Sequence, residues 1–140
     1  MRNGYTKIEN GWIVRYNKNN KIHCDDGPAM ENPKDGTKIW FIDGKYHRED
    51  GPAIESGDGR KQWYIHGMRH RKDGPAYIDK FKTEWYQYDL LHREDGPAIE
   101  YVNGMEDYYI HGLEIDTHKI DDIILCLDNL RTHINLKFGG

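Results

Sequence analysis

The chain has 140 residues, 36% of them hydrophobic and 31% charged, with a formal net charge of −4. That balance describes one domain with a thin core, speaks against the basic stripe that duplex nucleic acid demands, and leaves no apolar run of the roughly eighteen residues a membrane span needs. Met1-Arg2-Asn3-Gly4-Tyr5 lacks the apolar core of a signal peptide, and Cys24 and Cys126 show no framework spacing, so reduced thiols in a cytoplasm are expected.

The first element centres on Tyr16, seven residues before His23; Trp40, Trp63 and Trp85 stand seven residues before His47, His70 and His92. Around them runs such as Trp40-Phe41-Ile42 and Trp63-Tyr64-Ile65 alternate, which predicts strands. Four residues after each aromatic comes Asn20, Gly44, Gly67, Asp89 or, after Tyr108 in a fifth unit, Gly112. These residue types accept a positive φ most readily, so each marks a tight turn.

After the turn one motif recurs: His23-Cys24-Asp25-Asp26-Gly27-Pro28-Ala29, then His47-Arg48-Glu49-Asp50-Gly51-Pro52-Ala53, His70-Arg71-Lys72-Asp73-Gly74-Pro75-Ala76 and His92-Arg93-Glu94-Asp95-Gly96-Pro97-Ala98. The Asp-Gly-Pro steps are 24, 23 and 22 residues apart. A period in this range signals one supersecondary unit per repeat. A second strand follows, as in Ala53-Ile54-Glu55, and then a loop of varying length such as Gly57-Asp58-Gly59 or Asp79-Lys80-Phe81-Lys82. The reading is mainly β: a single repeat domain over residues 1–140, with stacked antiparallel β-hairpins over 1–115 forming one long twisted sheet.

From Asp116 the pattern becomes helical, with Ile120, Ile123, Ile124, Leu127, Leu130 and Ile134 on one face. Asp116 or Thr117 serves as N-cap, and Gly139-Gly140 ends the chain. A C-terminal α-helix over residues 116–136 is expected to cap the last hairpin and cover the open apolar face. Leu125 and Leu136 point away from the stripe, at plain surface or at a dimer contact. The chain is a candidate homodimer through this helix or a sheet edge.

The period, the glycine-anchored hairpins and the Trp/Tyr pairs resemble the MORN-repeat superfamily, especially its variant repeats. The strings His-Arg-Glu-Asp-Gly-Pro-Ala and Trp-Tyr-Ile-His-Gly are more narrowly similar to repeat proteins of bacteriophages and giant viruses. The likeness covers residues 12–115, departs at Cys24, Lys72, Asp89 and Ile115, and brings no common catalytic residue. It implies a small phage protein acting in the host cytoplasm.

The motif histidines are expected to be structural. Equivalent residues in successive hairpins stand roughly 10 Å apart, too far to share a metal with ligand distances of about 2 Å. No Ser or Cys nucleophile recurs at a fixed offset, so no catalytic residue, metal or cofactor is assigned. Arg48, Arg71 and Arg93 form surface ion pairs on one reading. On another, the basic cluster Arg60, Lys61, Arg69, Arg71 and Lys72 grips phosphate. Phe81, Leu90 and Leu91 break the repeat's own rule, with Tyr77 and Tyr88 nearby, as a protein contact or as packing beneath the helix. The free sheet edge near Trp12 is a second place for a partner. The expected function is a non-enzymatic protein-binding module, a phage protein that inhibits or recruits a host defence protein. The alternatives are a sponge for a nucleotide-type signal and a structural virion-associated protein.

Overall fold

The computed structural model describes residues 4–138; the sequence features at Met1–Asn3 and at Gly139-Gly140 lie outside the described residues. Eleven strands run antiparallel in one open sheet: Tyr5–Glu9, Trp12–Tyr16, Met30–Glu31, Lys38–Ile39, Ile54–Glu55, Lys61–Gln62, Tyr77–Ile78, Lys82–Glu84, Ile99–Tyr101, Glu106–Ile110 and Leu113–Ile115. Three short hairpins interrupt this meander: Phe41–Ile42 with Lys45–Tyr46, Tyr64–Ile65 with Met68–Arg69, and Tyr86–Gln87 with Leu90–Leu91. Each complete unit thus holds two hairpins, one in the long sheet and one in a second row beside it. Among the described residues no helix is long and apolar enough to cross a membrane.

The chain changes rows at the tryptophan. The N–H groups of Trp40, Trp63 and Trp85 donate to the carbonyls of Ala53, Ala76 and Ala98 at 2.7–2.8 Å, and the tryptophan carbonyls accept from the N–H of His47, His70 and His92 at 3.0–3.2 Å. The short hairpins are tied along the axis in turn: the N–H groups of Gly44, Gly67, Asp89 and Gly112 donate to Ile22, Tyr46, Arg69 and Leu91 of the unit before, at 2.8–2.9 Å. Ala29, Ala53, Ala76 and Ala98 are fully enclosed, at 0% exposure, and among the described residues no large side chain is wholly buried. The core is a line of methyl groups, so a larger residue there has no space to enter.

The turns are two-residue and left-handed at both positions. Asp43-Gly44 has φ of 49° and 80°, His66-Gly67 49° and 81°, Tyr88-Asp89 45° and 67°, and His111-Gly112 48° and 78°. This is the type I′ pattern, whose twist matches that of the flanking strands. The second residue of each pair is the one the sequence marks. The first is His or Tyr in three of the four turns, at a backbone cost on the order of 1–3 kcal/mol each.

Two sequence readings need correction. Arg15, not Tyr16, takes the tryptophan's place in the first unit: its N–H donates to Ala29 at 2.8 Å and its carbonyl accepts from His23 at 2.9 Å. Tyr16 pairs with Ile22 across a loop one residue longer than the one between Phe41 and Tyr46, so counting back from His23 lands one residue late. Trp12 is also not at an edge. Tyr5–Glu9 pairs with Trp12–Tyr16 through an Asn10-Gly11 turn with φ of 50° and 84°, and is itself the outer strand.

One face of the long sheet carries a continuous cross-strand row. It begins apolar, with Val14, Met30, Ile39 and Ile54 directly opposite one another. It continues through Gln62, Tyr77, Glu84, Ile99 and Asp107. The helix, Thr117–Phe138, follows this polar end. Its apolar stripe stays in solvent, with Ile123 at 58% exposure and Leu127 at 59%, so the helix does not cover the sheet as the sequence suggests. The physical reason lies in the row: the strands nearest the helix place the carboxylates of Glu84 and Asp107 in it, on either side of Ile99.

Candidate functional site

The Asp-Gly-Pro motif closes on itself. The guanidinium carbons of Arg48, Arg71 and Arg93 stand 3.8, 4.1 and 4.0 Å from the ring centroids of Trp40, Trp63 and Trp85. Each Nη1 donates to the following proline carbonyl, Pro52, Pro75 or Pro97, at 3.1 Å. A Cβ added to Gly51, Gly74 or Gly96 would stand 2.9, 2.6 and 2.9 Å from the guanidinium carbon. The motif glycine therefore supplies space: a planar cation lies between an indole and a backbone that must be bare.

In the first unit the indole is absent and the guanidinium comes from the other strand. Cys24 occupies the arginine position and Arg15 the tryptophan position. Arg15 Nη1 still reaches the Pro28 carbonyl at 2.8 Å and Glu31 at 2.6 Å, as Arg48 reaches Pro52 at 3.1 Å and Glu55 at 2.8 Å. A Cβ on Gly27 would meet nothing within 4 Å. The Cys24 Sγ donates to Asp26 at 3.3 Å, and burial pushes this thiol up, so it is held protonated.

The motif histidines staple one unit to the next. The Nδ1 atoms of His23, His47, His70 and His92 accept from the N–H of Asp43, His66, Tyr88 and His111, at 3.0, 3.0, 3.3 and 3.0 Å. Those donors are the first residues of the left-handed turns, so the staple offsets part of the turn strain. Nδ1 must be free of a proton to accept, which places the proton on Nε2. Nε2 faces Asp25 at 2.9 Å in His23, Glu49 at 3.7 Å in His47 and Glu94 at 3.5 Å in His92. In the third unit Lys72 stands where the carboxylate would be, and burial lowers the His70 pKa. Among the described residues no three His, Cys, Asp or Glu side chains converge as a metal site.

Between successive motif loops lie three open clefts of about 790, 530 and 420 Å³, floored by Trp40, Trp63 and Trp85. Their arginines are already engaged with indole, carbonyl and carboxylate. What faces solvent is mostly acid: Asp25, Glu49, Asp50, Asp73, Glu94 and Asp95 are 72–90% exposed, with Lys72 the exposed cation in the walls of the second and third clefts. Arg48 holds the Asp50 carboxyl below its ordinary range by its hydrogen bond.

The opposite face holds a different arrangement. The Arg69 guanidinium lies 4.9–5.5 Å from the rings of Tyr64, Tyr77 and Tyr86. Its Nη2 donates to Gln62 Oε1 at 2.9 Å and to the Tyr64 hydroxyl at 3.0 Å. Glu84, only 6% exposed, accepts from Lys82 at 2.5 Å and from the Tyr86 hydroxyl at 3.1 Å. Burial, and then the Glu84 charge, raise the Tyr86 pKa. A cation in a tyrosine cage and a carboxylate beside it replace, in the third and fourth units, the aliphatic packing of the first two.

The structure distributes the five basic candidates rather than gathering them. Arg60 is paired with Asp58 at 3.1 Å within its own loop. Lys61 sits opposite Glu55 and Ile78 in the long sheet. Arg69 belongs to the tyrosine cage, Arg71 to Trp63 on the other face, and Lys72 to a cleft wall. The five apolar candidates also part company. Tyr77 is beneath Arg69, and Leu91 shares that face through its pairing with Tyr86. Phe81 is 59% exposed at a long-hairpin loop, hydrogen-bonded by its carbonyl to the N–H of Val102. Tyr88 and Leu90 stand at a short-hairpin turn at 56% and 47% exposure.

Sequence reasoning missed two neighbours of Leu90. Met68 and Leu113 follow their turns at the same step, 36% and 72% exposed. The Leu90 side chain reaches within 3.2 Å of where a Gly112 Cβ would stand, so the tips stack into a ridge. The equivalent residue after Gly44 is Lys45, which shows that the ridge is basic in one half and apolar in the other. Aligning the residue after each turn would have found it.

No family model, curated protein or solved structure matches the chain. The likeness to variant MORN repeats rests on the repeat motifs themselves.

Proposed function

We propose that this chain is a non-enzymatic protein-binding module and that its contact surface is the apolar ridge Met68, Tyr88, Leu90 and Leu113. One observation carries the reading. Among the described residues no large hydrophobic side chain between Glu9 and Gly67 is exposed, whereas this ridge and the loop pair Phe81 and Val102 are. Apolar side chains exposed in a line along successive turns are a recognised mark of a partner surface. The acidic cleft walls next to the ridge favour a partner with a basic rim. The repeat likeness adds a setting for the proposal: a viral protein that blocks or recruits a host protein.

The test is affinity capture from expressing cells, comparing the parent with Leu90→Asp, Leu113→Asp and Lys45→Glu. Loss of a ridge anchor weakens capture by about 2 kcal/mol or more, and Lys45→Glu leaves it near the parent level. Capture that survives both leucine changes sinks the ridge as the contact. A small ligand retained in the native mass spectrum would favour the sponge instead.

A further inference from the structure

We infer that the C-terminal helix pairs with the same helix of a second copy, antiparallel, making the protein a homodimer. Along Thr117–Phe138 the residues Ile120, Ile123, Leu127, Leu130 and Ile134 recur at steps of three, four, three and four. That is the narrow seam of a two-helix pair. These five side chains are 42–59% exposed although all are Ile or Leu, and the polar end of the sheet row gives them nothing to bury against. The seam covers two full heptads, about 21 Å of the helix.

Charge selects the second copy and its direction. Up to Asp128 the helix carries Asp121, Asp122 and Asp128 against Lys119; from Asn129 onward it carries Arg131 and Lys137 with no acid. The helix is therefore negative at its start and positive at its end, and is complementary to itself when reversed. In the antiparallel register Leu127 faces Leu130 of the second copy, Ile123 faces Ile134, and Ile120 lies under the aliphatic stem of Lys137. The Lys137 ammonium then falls beside Asp121. A parallel pair would set Lys137 against Lys137 inside the seam and crowd the aspartates at one end, so it is disfavoured. The interface is isologous, with one two-fold axis between residues 128 and 129.

Sedimentation equilibrium of the full chain across the micromolar range tests this. A dimer is expected; a monomer throughout, or a trimer or larger assembly, overturns the inference. Leu127→Asp should yield a monomer whose near-ultraviolet aromatic dichroism matches the parent's, and a dimer that persists overturns the seam. Asp121→Lys with Asp122→Lys should weaken the dimer by about tenfold, a change of 1.4 kcal/mol. Adding Arg131→Glu and Lys137→Glu restores complementarity with the signs exchanged, and the dimer should recover. Failure to recover overturns the antiparallel arrangement. Leu90→Asp should leave dimerisation unchanged while weakening partner capture. If it dissolves the dimer, the ridge and not the helix joins the copies.

Discussion

The first two units and the last three use one scaffold with opposite surfaces. In the first two, the cross-strand row is aliphatic and the turn tips are polar, as Ile39 and Ile54 inside and Lys45 outside show. In the later units the row holds Gln62, Glu84 and Asp107, and the tips carry Met68, Leu90 and Leu113. What both halves share is the enclosed alanine and the histidine staple, with the indole–guanidinium stack in the second, third and fourth units. The scaffold is thus independent of how either face is finished. A chain of repeats can therefore stabilise itself with a few fixed contacts and leave both faces open to other demands.

The sharpest way to break the comparison is at Arg69. Arg69→Ala removes the donor to Gln62 and Tyr64 and leaves Glu84, which is 6% exposed, with Lys82 and the Tyr86 hydroxyl as partners. Breaking such a network costs about 3 kcal/mol, discounted here because the Arg69 side chain retains some solvent. A triple change, Gln62→Ile, Arg69→Tyr and Glu84→Ile, extends the aliphatic arrangement into the third and fourth units. It should recover most of that loss. Urea unfolding of the parent and both variants measures it, and a triple variant no better than Arg69→Ala would show that the two arrangements are not interchangeable.

The motif glycines sharpen the comparison at smaller magnitude. Gly74→Ala drives a methyl to 2.6 Å from the Arg71 guanidinium carbon and should cost about 1–3 kcal/mol. Gly27→Ala meets open space and should stay within about 0.5 kcal/mol of the parent. Installing Cys24→Arg with Arg15→Trp should give Gly27→Ala the cost seen at Gly74. Equal melting temperatures for the two alanine variants in the parent background would contradict the assigned role of space.

Much of the fold was legible because the repeat states it several times. Five positions offered Gly, Asn or Asp, so the turn residues Asn20, Gly44, Gly67, Asp89 and Gly112 could be read as left-handed, and all are. Asn10-Gly11 is as strong a hairpin signal but falls outside the repeat, where a search by period does not look. The first unit misled because its loop is one residue longer and the guanidinium comes from Arg15 on the other strand, which only pairing reveals. The site was less legible. Leu90 and Leu91 are adjacent in sequence, yet pairing sends them to opposite faces, since neighbours on a strand alternate. The basic cluster was a cluster only along the chain, for the same reason.

The smallest effect separates the third unit from its neighbours by pH. His70 must keep Nδ1 unprotonated to accept from Tyr88, its ring lies 4.1 Å from the Tyr88 ring, and Lys72 replaces the carboxylate found at this place in the other motifs. Burial lowers its pKa in the folded state below the ordinary 6.5. The unfolded chain then binds the proton more readily than the folded one. The contribution is fully present above the ordinary value and is lost as the pH falls through the depressed one. The staple between the third and fourth units should therefore weaken on acidification through this range. Lys72→Glu returns a carboxylate to Nε2, favours the charged ring, and should flatten this part of the profile. His70→Asn keeps an acceptor that does not titrate there and should flatten it too. Urea midpoints at pH 8 and pH 5.5 for the parent and both variants decide the matter. Three parallel profiles would mean that acid acts on this fold through other groups.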